Sequence, residues 1–352
     1  MYLLQILSYV QVIWRRLYSG SSVMDGGTMY QLRNLVNRRN VVSNPKDNEA
    51  ACEDFMLTVT ESHILAAAME LFEMDSLTDT PSKKFFPEGS SELDSLQRRN
   101  ILLLATRQLV EKYTDLSIPK EKREQQKSEK STLAPRRTHD GVYEYAKDTL
   151  TLGLLLMDFV DATREGDGDR IIRDWKFLLP LFKSSGRTNY SVEAFTLLAQ
   201  YYYLFSPRMA TQLAWSRTVN THGRPGKNIS CDLHLEHLNR EVKNALGGLS
   251  SNITEQSVKR IGKSIQGLSK VSHHFDRCNN VPLPTGYHTR KPKTKDVKMM
   301  VEQLKKSSVF KFQDGRSHKH FKKFVANPCK TVNREMLKEW MDGYMKKLLL
   351  YQ

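Results

Sequence analysis

Cysteine is scarce in this sequence, and its placement excludes several small-protein folds. Only four of the 352 residues are cysteine, and they lie far apart at Cys52, Cys231, Cys278 and Cys329. No Cys-x-x-Cys pair is present, so the sequence indicates neither a zinc knuckle nor a disulfide framework. Free cysteines are typical of a reducing compartment, and we expect the protein in the nucleus or the cytoplasm.

Motifs that identify common enzyme classes are also missing. The sequence has no Gly-x-Ser-x-Gly nucleophile elbow, no Walker A loop, no Rossmann fingerprint and no protein-kinase signature. No internal repeat stands out at the period of a solenoid. Any chemistry must therefore come from side chains that none of these motifs marks.

Long apolar runs are absent as well. The apolar stretch at 1–16 is interrupted by Gln and Ser and is too short to span a bilayer. Its basic pair, Arg15 and Arg16, follows the apolar residues, whereas a secretory signal places positive charge before them. We therefore expect a buried amphipathic helix here and no membrane partner.

The sequence predicts a mainly α protein with few or no strands. Apolar residues recur with helical spacing at 3–18, 48–74, 91–113, 142–166, 169–182, 191–205, 254–275 and 333–349, and in a helix that ends near Leu246. Pro180 is expected to end or kink its helix. Alternation with a period of two is nearly missing, and 216–220 is too short to count as a strand.

Two internal segments and the C-terminal region have the composition of loops. Residues 79–91 are rich in Pro, Gly and Ser, and the charged stretch within 115–140 has almost no apolar residue whose burial would offset its ordering entropy. We expect charged disordered loops there, inside a multi-helix domain that spans 1–280. A basic linker and a C-terminal helix are expected in 281–352.

Positive charge is in excess. Lys and Arg total 54 against 39 Asp and Glu, a net charge of +15, which favours a polyanionic partner such as nucleic acid. Residues 287–330 hold thirteen Lys or Arg and three Asp or Glu, interleaved with Phe310, Phe312, Phe321 and Phe324. This mixture is typical of nucleic-acid binding, but a weakly packed, solvated tail has the same composition. Both interpretations stay open.

The segment 220–249, NTHGRPGKNISCDLHLEHLNREVKNALGGL, concentrates polar side chains at the start of a helix. On a helical wheel two carboxylates, an amide and an ammonium group fall along one edge, within about 60° of one another: Asp232, Glu236, Asn239 and Lys243. An apolar stripe centred on Leu238 and Val242 lies on another side. We therefore expect both of these apolar residues to be buried.

Two interpretations of that polar edge remain open. A hard cation such as Mg²⁺ takes one or two carboxylates together with water and phosphates. Asp232 and Glu236 are therefore candidate catalytic residues, and Glu236 is a candidate metal ligand. In the other interpretation Asp232 only stabilises the helix dipole, and Glu236 forms a surface pair with Arg240.

The cations around this edge are candidate nucleic-acid-binding residues. The glycine turn delivers the chain into the helix, so its cations should flank the helix start at the rim of a cleft that holds both carboxylates. The candidates are Arg217, Arg224, Lys227, Arg240 and Lys243. Zinc is not expected, because His234 and His237 form a His-x-x-His pair without a nearby third ligand.

Three strings in the sequence resemble the domain of unknown function 6589 family. They begin EGDGDRIIRDW at Glu165, WSRTVNTHGRPGKNISCD at Trp215 and VIWRRLYSGSS at Val12. The resemblance covers roughly residues 10–280. EGDGD itself is typical of a helix stop, a tight turn and a new helix start.

The resemblance implies a function that the residues alone do not. This family is similar to RNase H-like transposases, in which three carboxylates hold two Mg²⁺ ions that activate a nucleophile for attack on a phosphodiester. The last of those carboxylates follows an all-helical insertion, and Glu236 has that placement. The other two would precede Met1. The resemblance therefore implies an N-terminally truncated, transposase-derived, DNA-associated protein that is inactive alone.

A non-enzymatic helical module that binds protein partners is the alternative. In that case the polar edge of 232–243 is only a solvated helix face. The sequence leaves the oligomeric state open.

Overall fold

The structure is a computed structural model that describes residues 35–36, 38–39, 41, 49–81, 93–114, 140–247, 254–280, 292–316 and 332–350. Within these residues the chain forms ten α-helices, one π-helical turn and one two-stranded sheet, so the prediction of a mainly α protein is confirmed. The helices are α1 (Glu49–Leu71), α2 (Ser95–Tyr113), α3 (Gly141–Glu165), α4 (Gly168–Ser184), α5 (Thr188–Ala199), α6 (Pro207–Trp215), α7 (Cys231–Gly247), α8 (Glu255–Cys278), α9 (Thr294–Lys306) and α10 (Arg334–Leu350). The π-helical turn, Gln200–Leu204, continues α5, and the strands are β1 (Thr218–Val219) and β2 (Ile229–Ser230).

Most of these helices lie where the apolar spacing predicted them. The helix expected at 91–113 starts at Ser95, because Asp94 and Gln97 form a capping box. Pro180 does not end its helix, which continues to Ser184. Helices α6 and α9 were not predicted. The helix expected at 3–18 and most of both expected loops lie outside the described residues.

The chain divides into two compact units. The hairpin unit comprises Phe159–Trp175 and Leu197–His288, and the core unit comprises Tyr2–Asp158, Lys176–Thr196 and Thr289–Gln352. The domain boundary expected near residue 280 stays a prediction. None of the helices in the described parts of either unit is long and apolar enough to cross a lipid bilayer.

The core unit is built on α1 and α9, which pack against each other along much of their length. Helix α9 buries four apolar residues at helical spacing: Val297, Met300, Val301 and Leu304. The fully buried guanidinium of Arg39 bonds to Asp54 of α1 and to Asp296 of α9. A buried charge is tolerated only with such partners. This ion pair network therefore joins the two helices.

The basic region after residue 287 is thus partly core. Phe310 is buried and lies edge-on to Tyr113, with ring centroids 5.3 Å apart. It is therefore not available to stack on a base, whatever the charge around it. Phe312 contacts Tyr143 edge-on at 5.7 Å. Phe321 and Phe324 lie outside the described residues.

A second buried charge holds the start of α3. The Asp140 carboxylate accepts hydrogen bonds from the backbone amides of Tyr143 (3.0 Å) and Gln313 (2.8 Å), and from Arg316 at 2.7 and 2.9 Å. Burial alone would raise the pKa of Asp140. The hydrogen bonds from Arg316 and the two amides outweigh burial, so its pKa is lowered. The folded state therefore favours the charged carboxylate.

We predict that Asp140 contributes to acid unfolding. Because its pKa is depressed on folding, its contribution is complete above the ordinary value of about 4 and is lost as pH falls through the lower folded value. Asp140→Asn should lower the free energy of unfolding at neutral pH by about 3 kcal/mol, since Arg316 loses its anion. The variant's stability should also change less than that of the wild type below about pH 4.

Urea unfolding over a pH series measures both effects. Asp314→Asn is the matched control, because Asp314 lies in the loop that supplies Gln313 and Arg316 to Asp140 but is itself exposed. Equal acid sensitivity in the Asp140 variant and the wild type would contradict the assignment.

Candidate functional site

The polar segment 220–249 folds, together with the residues just before it, as a β-hairpin followed by α7. Thr218 pairs with Ser230 and Val219 with Ile229, in antiparallel register. The loop 220–228 between the strands carries the family-like motif Asn-x-x-Gly-x-x-Gly-x-Asn. The side chains of His222, Arg224 and Lys227 are exposed in this loop.

Asn220 and two glycines shape this loop. The side-chain oxygen of Asn220 accepts hydrogen bonds from the amides of His222 (3.2 Å) and Gly223 (2.7 Å), and its amide group donates to the Arg224 carbonyl at 2.8 Å. Gly223 and Gly226 have φ angles of +66° and +67°, which disfavour a side chain. These motif residues therefore have a structural role.

Asn228, the last residue of the motif, fastens the loop to the end of α3. Its backbone amide (3.2 Å) and its side-chain amide (2.8 Å) both donate to the Arg164 carbonyl. Its side chain lies against Gly166, where φ is +75° and a Cβ atom would come within 3.2 Å of it. EGDGD is therefore a helix stop and restart as predicted. The hairpin loop also packs against it through Asn228.

The same turn holds α6. A Cβ atom on Gly168 would lie 2.4 Å from the Ala214 carbonyl oxygen, so the start of α4 and the end of α6 are in backbone contact. Next along α4, Asp169 accepts a hydrogen bond of 3.0 Å from the Tyr201 hydroxyl of the π-helical turn. We call the contacts of Asn228 with Arg164 and Gly166, and of Gly168 with Ala214, the hairpin joint.

Helix α7 begins directly at the end of the hairpin. The Ser230 hydroxyl accepts from the Leu233 amide at 3.4 Å, and the Cys231 amide donates to the Arg217 carbonyl at 3.0 Å. The Cys231 thiol donates to the Ser216 carbonyl at 3.1 Å. Burial, together with the charge of Asp232, raises the pKa of this thiol, and Arg217 only partly offsets the rise. Cys231 is therefore not poised as a thiolate nucleophile.

Both candidate carboxylates lie on α7, half-buried and one helical turn apart at Asp232 and Glu236. The apolar stripe is less buried than predicted. Leu238 and Val242 are only half-buried and Leu235 is more than half exposed, which corrects the expectation of a buried stripe. The reason is that α7 packs on α8 and on the two short strands, and these contacts do not enclose it.

The predicted cations are distributed along this arrangement. Arg217 is half-buried near the start of α7. Its charge lowers the pKa of the Cys231 thiol, whereas the charge of Asp232 raises it. Arg224 and Lys227 are exposed in the hairpin loop, and Gly226 between them faces the Glu165 carboxylate at the end of α3. Arg240 and Lys243 are exposed further along α7. A common cleft lined by all five cations stays a prediction.

The pKa of His237 on α7 is shifted by burial and by neighbouring charges. His237 is half-buried, and burial is the largest cause of its lowered pKa. The positive charge of Arg240 and the nearby His234 lower the pKa further, whereas Glu236 and Glu241 oppose this. The His237 ring is therefore neutral at neutral pH.

The structure adds a row of cations that the predictions from sequence did not include. Lys259, Lys263, Lys270 and Arg277 of α8 are all exposed. At 100° per residue they fall within about 40° of one another, and Ile265 is buried on the opposite side. We call this row the α8 cationic face. The sequence contained a signal for this face, because its cations are spaced four and seven residues apart within one predicted helix.

We predict that the hairpin joint stabilises this unit through close backbone contact. Gly168→Ala should lower the free energy of unfolding by about 1–3 kcal/mol, because the new methyl group meets the Ala214 backbone. Gly262→Ala is the matched control, since Gly262 lies in α8 with nothing within 4 Å of a new Cβ. The control should stabilise by about 0.5–1 kcal/mol through helix propensity. Thermal or urea unfolding measures both, and equal effects would contradict the close contact.

Comparison with known proteins agrees with the motif resemblance. A profile of a family of unknown function, DUF6589, matches residues 7–288, which includes the hairpin joint, the hairpin and α7. Searches of curated proteins and of solved structures each found no match. Because the match spans most of the chain, this protein belongs to the family of unknown function DUF6589.

Proposed function

We propose that this protein binds nucleic acid through exposed cations of the hairpin unit and is not by itself a phosphodiester-transfer enzyme. The observation that carries the proposal is the α8 cationic face. Lys263, Lys270 and Arg277 recur every seven residues, which sets them about 10.5 Å apart along one side of the helix. A row of cations with this spacing can contact an extended anion along its length, whereas a compact anion would reach only one of them.

The cations of this face are not required for packing. The side of α8 that carries Ile265 contacts the rest of the unit, whereas the cationic side is solvent-exposed. Lys259 pairs with Glu255 at 2.6 Å, an exposed pair of the kind that contributes little to stability. Neutralising phosphates releases their counterions, which makes exposed lysine and arginine favourable in such an interface.

Four of the cations predicted from the sequence also support nucleic-acid binding by the hairpin unit. Arg224 and Lys227 in the hairpin loop, and Arg240 and Lys243 on α7, are exposed in the unit that carries the α8 cationic face. The protein's net charge of +15 favours the same kind of partner. DNA in the nucleus, or nucleic acid in the cytoplasm, is the partner that we propose.

A transposase ancestry is the finer part of the proposal. It rests on the motif resemblance and on the position of Glu236 after a run of helices. A magnesium centre of that kind needs carboxylates from separate elements. Asp232 and Glu236 share one helix, and among the described residues no group of three His, Cys, Asp or Glu side chains is arranged to hold a metal. The described residues therefore do not fit a Mg²⁺ centre, and we assign no catalytic step to them.

A salt titration of DNA binding tests the proposal. We expect the logarithm of the association constant to fall linearly with the logarithm of salt concentration. Lys263→Ala/Lys270→Ala should weaken binding and lower that slope by about two, because each lysine neutralises one phosphate. Fluorescence anisotropy with a labelled duplex, over a series of salt concentrations, measures both.

A control with the same charge change makes this test specific. Lys338→Ala/Lys346→Ala removes two exposed lysines of α10, in the core unit, and should leave the slope unchanged. Absence of binding at low salt would overturn the proposal. Equal reductions of affinity in the two double variants would assign binding to overall charge and not to the α8 cationic face.

One observation favours the alternative of a protein-interaction module. Helix α2 leaves Leu96, Leu102, Leu103 and Leu104 more than half exposed. Exposed apolar side chains grouped on one helix are typical of an interaction surface. This alternative predicts no affinity for nucleic acid even at low salt, so the same titration separates the two candidates.

A further inference from the structure

Trp215 is unusual among the tryptophans that the structure describes. Trp175 is buried, and Trp340 lies against Phe195 and under the Lys183 ammonium group, 4.3 Å from its ring centroid. The Trp215 side chain, in contrast, is 71% exposed at the last residue of α6. An indole contributes a large apolar surface to binding when a ligand covers it, so an exposed indole is a candidate contact for a ligand.

The face of α6 that carries Trp215 is polar and has no acidic residue. Arg208, Thr211, Gln212 and Trp215 are all exposed, and at 100° per residue they occupy one side of the helix. The two small residues on the opposite side, Ala210 and Ala214, are buried. Helix α6 contains neither Asp nor Glu. Its outer face therefore combines an indole, a cation about two turns away and two hydrogen-bonding side chains.

This face lies at the start of α7. Ser216 and Arg217, which follow Trp215, are bonded through their carbonyls to the thiol and the amide of Cys231. Gly168 packs against the backbone of Ala214 and Trp215, so the backbone that carries the indole is held by a close contact. A ligand that covers the ring thus meets a surface that is already positioned, which reduces the ordering cost of binding.

We infer that Trp215 stacks on an unpaired base, so that the protein prefers single-stranded to double-stranded nucleic acid. The inference rests on the proposed nucleic-acid binding and names the form of the ligand. Within a duplex both faces of a base are already stacked, whereas an unpaired base can stack on an aromatic side chain. Arg208 on the same face and Arg217 next to it supply positive charge for the adjoining phosphates.

Comparison of a labelled oligothymidylate with a labelled duplex of equal length tests the inference on the full-length protein. Trp215→Ala should weaken binding of the single strand by about tenfold or more, and binding of the duplex by less than twofold. Trp215→Phe should retain most of the single-strand affinity, since a phenyl ring still stacks. Met209→Ala is the matched control, because Met209 is exposed on another side of α6 and should leave both affinities unchanged.

Tryptophan fluorescence gives a second, independent readout. Oligothymidylate should quench the emission of the wild type, and Trp215→Phe should abolish most of that quenching even where affinity is retained. Far-ultraviolet circular dichroism and a thermal melt establish that each variant is folded. Quenching that persists in Trp215→Phe would overturn the inference.

The outcomes separate this inference from the proposed function. If Trp215→Ala binds the single strand as tightly as the wild type, the stacking inference is wrong, while duplex binding that depends on the α8 cationic face still supports the proposed function. If neither oligonucleotide binds at low salt, both proposals fail. That last result would assign the exposed indole to a protein partner.

Discussion

The hairpin unit depends on a single carbonyl group. Arg164 O, at the end of α3, accepts hydrogen bonds from both the backbone and the side chain of Asn228, and this fastens the hairpin loop to the turn between α3 and α4. Gly166 leaves space for the Asn228 side chain, and Gly168 leaves space for the end of α6. Because both glycines lie in one turn, that turn positions the hairpin, α6 and the start of α7 together.

These hydrogen bonds indicate what the conspicuous residues of the family-like motif do. The motif's asparagines and glycines close the loop and seat it, which is a structural role. The side chains between them, including Arg224 and Lys227, are exposed and carry charge. A loop of fixed shape presents such cations in a defined place, and a flexible loop does not. One segment therefore combines residues that fix its shape with side chains that stay exposed and charged.

The protein's positive charge is divided between packing and the surface. Arg39 and Arg316 are committed to Asp54, Asp296 and Asp140, where they hold helices of the core unit together. The lysines and arginines of α8 are exposed on one helix face. Net charge alone does not distinguish these uses, because the free energy of a charge depends on its burial and its partners. The second group stays exposed because α8 packs through its other side, which carries the buried Ile265.

The sequence by itself determined most of the helices and the turn at EGDGD, because helical periodicity and glycine punctuation are local signals. It did not predict α9, because lysines are interspersed among the apolar residues of that helix. Those apolar residues are buried only because α9 packs against α1. Nor did it reveal that Phe310 is buried or that Leu238 is only half-buried. Burial depends on which elements meet, and those contacts join residues far apart in the chain. Tertiary structure alone therefore decided which cations and aromatics face solvent.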